Sequence, residues 1–227
     1  MKSPVRVALI GSRGRMGQTI VDLAKNDPKI DIVAQCDIGD AIGQAFKNCD
    51  VAIDFSNSSA IDEICRSALQ HRKPLVIGTT GHSPEQRQLI EKTATSLPIV
   101  FASNFSVGVN ALFALARRAA EIFGSEFASE IIETHHKMKK DAPSGTAKTL
   151  REILKRELKA EIPIESIREG DVVGEHTVNF RGPGERLELT HRAGSREIFA
   201  RGALRAAEWI VGKPAGLNSM QDVLGLK

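Results

Sequence analysis

Seven residues constrain this chain more than any others. Gly11-Ser12-Arg13-Gly14-Arg15-Met16-Gly17 follows the apolar run Val7–Ile10 directly and precedes Ile20, Leu23 and Ala24, which recur at helical spacing. A strand that turns straight into a helix through G-x-x-G-x-x-G uses glycine for the tight turn and the close backbone approach, and it leaves first-turn amides pointing off the end of the helix. Such amides suit a pyrophosphate. The same arrangement expects an acid about 20 residues further on, at the end of the second strand, to accept hydrogen bonds from an adenosine ribose. Asp37 stands there, after Ile32-Val33-Ala34-Gln35-Cys36. The glycines alone also fit an ordinary turn; strand, helix and acid together favour a dinucleotide.

The first hundred residues repeat the alternation. Short β-branched runs at 5–10, 30–37, 51–55, 75–78 and 99–102 are separated by helical patterns, the signature of a parallel sheet covered by helices on both faces. Ile61, Ile64, Cys65 and Ala68 fall on one helix face, with Ser58 as the expected cap, and Ser83-Pro84-Glu85-Gln86 has the order of a capping box. Ligands of such sheets lie along the C-terminal strand edge. The expected walls of the cofactor site there are Gly78-Thr79-Thr80, after the fourth strand, and Ala102-Ser103-Asn104-Phe105, after the fifth.

Beyond Ala102 the pattern changes. Val109, Leu112, Phe113, Ala116, Ala119 and Phe123 predict a long amphipathic helix, and a second domain is expected from near Ser106. It continues as a strand over 128–136, a loop over 137–143, a helix over 144–159 and three strand-like runs at 172–180, 186–192 and 196–200, which predict an open mixed sheet. Helical periodicity returns at 203–211. The expected division is therefore 1–105 plus 201–227 for a Rossmann-like dinucleotide-binding domain and 106–200 for an α+β substrate domain.

Composition narrows the partners. Lys and Arg total 31 against 28 Asp and Glu, so the net charge is 31 − 28 = +3, and the aromatics are nine Phe, one Trp and no Tyr. That is too little charge and too few stacking platforms for nucleic acid. Three scattered cysteines, Cys36, Cys49 and Cys65, suit a reducing compartment, and the run Val7–Ile10 is too short for a signal-peptide core or a membrane span. A cytoplasmic protein with no membrane partner is expected.

The segment Glu133 to Ala147, ETHHKMKKDAPSGTA, carries the most chemistry. Successive residues of a strand point to opposite faces, so His135 and His136 make a poor joint grip on a metal, and a metal would need ligands from Glu133, His176 or His191 at spacings that match no zinc pattern. No metal is expected. The basic run Lys137, Lys139, Lys140 is followed by Ser144-Gly145-Thr146 at a helix start, where the amides of Gly145 and Thr146 form a seat for a carboxylate. A cation, two imidazoles and an anion seat describe a site for a small acid that must receive a proton. A solvated basic loop before a capped helix is the plainer alternative.

These residues resemble the 4-hydroxy-tetrahydrodipicolinate reductase (dihydrodipicolinate reductase) family. The resemblance rests on GSRGRMG, GTTG, NFSVGVN and above all ETHHKMKKDAPSGTA, and family-like residues run from Val5 to Leu226 through GEHTVNF, GERLELTHRA and DVLGL. It implies NAD(P)H-dependent reduction of 4-hydroxy-tetrahydrodipicolinate to tetrahydrodipicolinate, with loss of water, on the diaminopimelate route to lysine, in a homotetramer. It implies His135 as proton donor and acceptor, Lys139 as proton donor, and His136, Gly145 and Thr146 as binders of the substrate carboxylates. Cofactor contacts would come from Gly11, Ser12, Arg13, Gly14, Arg15, Met16, Asp37, Gly78, Thr79, Thr80, Ala102, Ser103, Asn104 and Phe105. Two departures stand out: the stretch 38–48 is shorter than many members carry, which predicts a missing peripheral strand, and Ile38 replaces the arginine often found after the ribose acid. With Asp37 positioned to repel a 2′-phosphate, NADH is expected to be preferred modestly over NADPH. The competing readings are another two-domain nicotinamide oxidoreductase of a carboxylated substrate, a non-catalytic dinucleotide sensor, and a metal-dependent hydrolase.

Overall fold

A computed structural model describes residues 3–226 and divides them into two compact units. Unit 1 runs to Ser106 and resumes over Glu197–Gly225; unit 2 is Val107–Arg196 with Leu226.

Unit 1 is built on strands β1 (Val5–Ile10), β2 (Ile30–Cys36), β3 (Val51–Asp54), β4 (Leu75–Ile77) and β5 (Pro98–Phe101), interleaved with helices α1 (Arg15–Ala24), α2 (Ile42–Ala45), α3 (Ile61–His71) and α4 (Pro84–Ala94). Strand β10 (Gly216–Asn218) completes a six-stranded sheet in the order β10-β5-β4-β3-β1-β2. Every neighbour pair is parallel. Parallel strands need covering on both faces, which is why β4 and the first three residues of β3 read as apolar runs and both strands are buried throughout. On one face Val7, Leu9, Ile53 and Val76 pack with Ile20 of α1 and with Ala203, Ala206 and Ala207 of α7 (Glu197–Ile210). On the other, Ala8, Ile10, Ala52 and Ile77 pack with Ile61 and Ile64 of α3 and Ile90 of α4. The Rossmann-like α/β expectation is met. Between β2 and β3 the described residues form no strand, only the four-residue α2.

Unit 2 places α5 (Val107–Phe123) and α6 (Gly145–Leu158) against a sheet of β6 (Ala128–His135), β7 (Ile164–Arg168), β8 (Glu175–Gly182) and β9 (Glu185–Arg192), in the order β7-β6-β8-β9. The sheet is mixed, as expected: β6 and β7 are parallel across the α6 crossover, and β6-β8-β9 are antiparallel. Leu112 and Phe113 of α5, Leu150 and Leu154 of α6, and Ile131, Val178 and Phe180 of the sheet form its core.

Three expectations are corrected. The run 196–200 is the first turn of α7 and not a strand, because its short alternation of Ile198 and Ala200 continues into Ala203, Leu204 and Ala207, a helical face buried on the unit 1 sheet. Strands β7 and β10 occupy stretches the periodicity left unassigned. Ser58 does not cap α3, whose N-cap is Ala60 with no side-chain bond; Ser58 begins the preceding 3₁₀ turn, capped by Asn57, whose side chain accepts from Ser59 N–H at 3.0 Å. The capping box of α4 is present: Ser83 N–H donates to Gln86 Oε1 (2.9 Å) and Gln86 N–H donates to Ser83 Oγ (3.3 Å).

Candidate active site

In unit 1 the strand order reverses at β1, so the β1 and β3 ends open a crevice of the kind where ligands of parallel sheets bind. Gly11 takes φ +84°, a left-handed backbone, and a Cβ there would run into the Phe55 carbonyl. A Cβ on Gly17 would strike the Gly11 carbonyl and Ser12 backbone, which closes the helix onto the strand turn. Gly14 is the N-cap of α1 in extended conformation, with no side-chain capping bond and no acid in the first turn. The positive end of α1 is therefore open to an anion at Arg15, Met16 and Gly17.

Asp37 closes the opposite side. Its Oδ2 accepts from Arg13 N–H (2.8 Å) and its Oδ1 from Ile38 N–H (2.9 Å). The Ile38 and Arg13 amides together hold the carboxyl below its ordinary range, so a fixed negative charge marks this end of the site. The Arg13 guanidinium turns to Asp40 (3.2 Å), and Ile38 is 92 % exposed. A cavity of about 520 Å³ is lined by Gly11, Gly14, Asp37, Asp40 and Phe55. A second, of about 460 Å³, is lined by Gly14, Arg15, Met16, Gly78, Thr79 and Thr80. Phe55, Ser56 and Asn57 line both and Gly14 belongs to both, so the two lobes meet over the start of α1. A dinucleotide fits this donor set: an open helix end for the pyrophosphate, and a fixed carboxylate in one lobe for the ribose.

The 55–57 turn was not singled out in the sequence; its signal was its place at the β3 end beside the point of strand-order reversal. Ser12 is buried, and its carbonyl accepts from Gln18 Nε2 (2.7 Å). Residues 102–105 line neither cavity. Phe105 is buried in the unit 1 core, its ring tilted on Phe55 with centroids 5.7 Å apart and its carbonyl against Gly202, so Ala102, Ser103 and Asn104 are the members of that turn with exposed surface.

In unit 2 the residues of the ETHH segment gather around one buried carboxylate. Glu133 and His135 are two apart on β6 and so share a face. Glu133 is 0 % exposed, and its Oε2 contacts His135 Nδ1 directly. Its Oε1 accepts from Arg168 Nη2 (2.8 Å), at the end of β7, and from Ser144 N–H (3.3 Å), the N-cap of α6. Burial alone would raise the Glu133 carboxyl, but hydrogen bonding from Arg168 and Ser166 and the charges of His135 and Arg168 outweigh it and hold the group low.

His135 titrates below its ordinary value: burial disfavours the imidazolium, Glu133 favours it, and Lys139 opposes it. His176, paired across the sheet with Glu133, is pushed down to about 4 by burial and by His135, and its Nε2 lies 3.1 Å from Ser144 Oγ. The His135 and His176 rings meet edge to face with centroids 5.1 Å apart. Lys139 Nζ pairs with Asp141 Oδ1 at 2.8 Å and holds that carboxyl low. His136 is partly exposed, its backbone N–H donating to Val172 O (2.8 Å). Gly145 and Thr146 form the first turn of α6, and a Cβ on Gly145 would meet nothing within 4 Å, so the space beside it is open.

Glu133, His135 and His176 also have potential metal-ligating atoms within 4.8 Å of one another. The geometry suits a proton better. Two ligands of one tetrahedral zinc ion, each at about 2.0–2.1 Å from it, stand roughly 3.3 Å apart, whereas Glu133 Oε2 and His135 Nδ1 touch directly and the other Glu133 oxygen is committed to Arg168.

Residues 5–105 match the family model described as dihydrodipicolinate reductase, N-terminus, and residues 108–224 match the one described as dihydrodipicolinate reductase, C-terminus. The 4-hydroxy-tetrahydrodipicolinate reductase of Akkermansia muciniphila is 47% identical over 242 residues, covering 98% of this chain and 98% of the relative. That of Syntrophotalea carbinolica is 39% identical over 266 residues, covering 98% and 100%. Among solved structures, the dipicolinate-bound dihydrodipicolinate reductase of Paenisporosarcina sp. TG-14 superposes with a TM-score of 0.84 at 26% identity, over 96% of this chain and 98% of that one. The DAP dehydrogenase of C. glutamicum shares the fold, with a TM-score of 0.61 at 14% identity over 96% and 93%.

Proposed function

The chain belongs to the dihydrodipicolinate reductase family, and from that premise we propose that it reduces 4-hydroxy-tetrahydrodipicolinate to tetrahydrodipicolinate, with loss of water, on the diaminopimelate route to lysine. NADH or NADPH, when bound, supplies the hydride. The cofactor seat is the open N-terminus of α1 with Gly11 to Met16, Asp37 and the turn 78–80; the family resemblance adds the part of the next turn that keeps exposed surface, Ala102 to Asn104. The observation that carries the reading is the buried Glu133–His135 pair, followed within the same segment by Lys139 and the first turn of α6.

His135 is the proton donor. Reduction of a cyclic imine leaves electron density on the ring, and an imidazole, which gives up and regains its proton readily, can supply the proton it needs. Lys139 adds a second proton source and a positive charge for a dicarboxylate. His136 and the amides of Gly145 and Thr146 bind the carboxylates, the α6 macrodipole adding to their attraction.

Asp37 sets the cofactor choice. Pinned by two amides and kept ionised, it accepts the ribose hydroxyls of NADH and repels a 2′-phosphate, and Arg13 is already paired with Asp40. NADH is therefore preferred modestly, with NADPH usable. The assembly is a homotetramer in the cytoplasm, to be checked by light scattering on the purified protein and by fractionation; no helix among the described residues is long and apolar enough to cross a membrane. The function itself is tested by loss of reduced-nicotinamide absorbance in a coupled assay with freshly generated substrate. Oxidation that requires both substrate and protein is expected. Cofactor binding without oxidation would leave only a sensor.

A further inference from the structure

We infer that Glu133 is a positioning residue, whose two carboxylate oxygens set His135, the 137–143 loop and the start of α6 in one arrangement; the inference rests on the reading of His135 as proton donor.

Each oxygen has a separate task. Oε2 faces His135 Nδ1, so the neutral ring carries its proton on Nδ1 and exchanges protons with a ligand through Nε2. Gly174 leaves room at that side: a Cβ there would stand 3.1 Å from Nε2. Oε1 accepts from Arg168 Nη2 and from Ser144 N–H. The same Arg168 Nη2 donates to the Asp141 carbonyl (2.7 Å), and the Asp141 carboxylate holds Lys139 Nζ at 2.8 Å. From one buried carboxylate, contacts thus reach the imidazole directly, Lys139 through Arg168 and Asp141, and the α6 seat through Ser144. A buried ion pair kept only for the fold would need Arg168 and Oε1. It would not need Oε2 on the ring nitrogen.

The Glu133→Gln substitution separates the two. Arg168 retains the amide oxygen, so the amide NH₂ turns toward His135 Nδ1 and forces the proton of the neutral ring onto Nε2. Nitrogen-15 NMR of the histidines of the full chain, without substrate, reads the tautomer. The expected result is an Nδ1–H ring in wild type and an Nε2–H ring in Glu133→Gln, with turnover reduced about 10²-fold and the NADH dissociation constant unchanged. The midpoint of the His135 titration should fall as well. The charged and titratable groups acting on that ring are Glu133 on β6, Lys139 on the loop, Arg168 on β7 and His176 on β8, and among them only the Glu133 charge is removed. Glu133→Asp keeps the charge and should retain the Nδ1–H ring and recover part of the turnover. A folded Glu133→Gln protein with the wild-type tautomer, titration midpoint and turnover overturns the inference. If that variant does not fold, Arg168→Lys decides: the wild-type His135 tautomer with reduced turnover supports separate tasks for the two oxygens, and a switched tautomer overturns them. If the tautomer responds as expected but the wild-type protein does not oxidise NADH with substrate, the proposed function fails and the positioning role stands.

Discussion

The two candidate sites of this protein are made of different material. The unit 1 site is mostly backbone: Gly11 in a left-handed turn, Gly17 packed against that turn, the open first turn of α1, and one half-buried carboxylate held by two more amides. The unit 2 site is side chains: a fully buried glutamate, two buried histidines of depressed basicity, an arginine and a lysine. Binding a large, invariant anion needs a surface of fixed shape, which backbone provides without flexible groups. Moving a proton needs groups whose charge can change, and burial beside partners tunes them. Damage to the first site should therefore appear in cofactor affinity, and damage to the second in turnover.

The largest expected effect is in unit 2. His135→Gln should lower turnover about 10²–10⁴-fold while the NADH dissociation constant, measured by fluorescence, stays at its wild-type value. A matching loss of NADH affinity would break the comparison.

The pH dependence sharpens the same point. Burial places His135 below its ordinary value of 6.5 in the free protein, so its imidazolium is already in the minority at that pH. As pH rises above the His135 midpoint, kcat/KM should fall, about tenfold per pH unit. The fall in kcat should come at higher pH, because a bound dicarboxylate brings negative charge that favours the imidazolium. Rate profiles from pH 5 to 9, with the two midpoints in the opposite order, would remove His135 from the role of acid.

In unit 1, Gly17→Ala forces a methyl onto the backbone of Gly11 and Ser12. A cost of about 1–3 kcal/mol in stability and roughly tenfold weaker NADH binding are expected, with turnover at saturating NADH nearly intact. Thermal melts with and without NADH measure both. The smallest effect concerns the paired Arg13: if Asp37 sets the choice, as proposed, Arg13→Ala should change the ratio of kcat/KM for NADH and NADPH by less than about threefold. A strong NADPH preference that disappears in this variant would transfer the choice to the arginine.

The same contrast explains what the sequence revealed. Strand, glycine loop, helix and Asp37 lie within about 30 residues, and such a unit is legible because each part is local. The first five strands and the capping box of α4 read correctly for that reason. In unit 2, Glu133 meets Arg168 across 35 positions and Ser144 meets His176 across 32, contacts that only the β6-β7 and β6-β8 register creates. No spacing rule reaches them. Sequence reading listed Glu133 and His176 only as remote metal ligands and passed over Arg168, although Glu133 two residues before His135 on a strand was a sufficient sign that they share a face. The stretch 196–200 failed for the opposite reason: five residues of alternation fit a strand and the first turn of a helix equally, and the burial of Ala203 to Ala207 decides for the helix.

The central claim is that the chain works as a reductase and not as a dinucleotide sensor. The most direct test is to incubate the wild-type protein with NADH carrying deuterium at both C4 positions and freshly generated 4-hydroxy-tetrahydrodipicolinate, then weigh the product by mass spectrometry. One deuterium in each tetrahydrodipicolinate ring, and none when protein is omitted, is the predicted result. Substrate left unreduced by protein that binds NADH tightly would contradict the account.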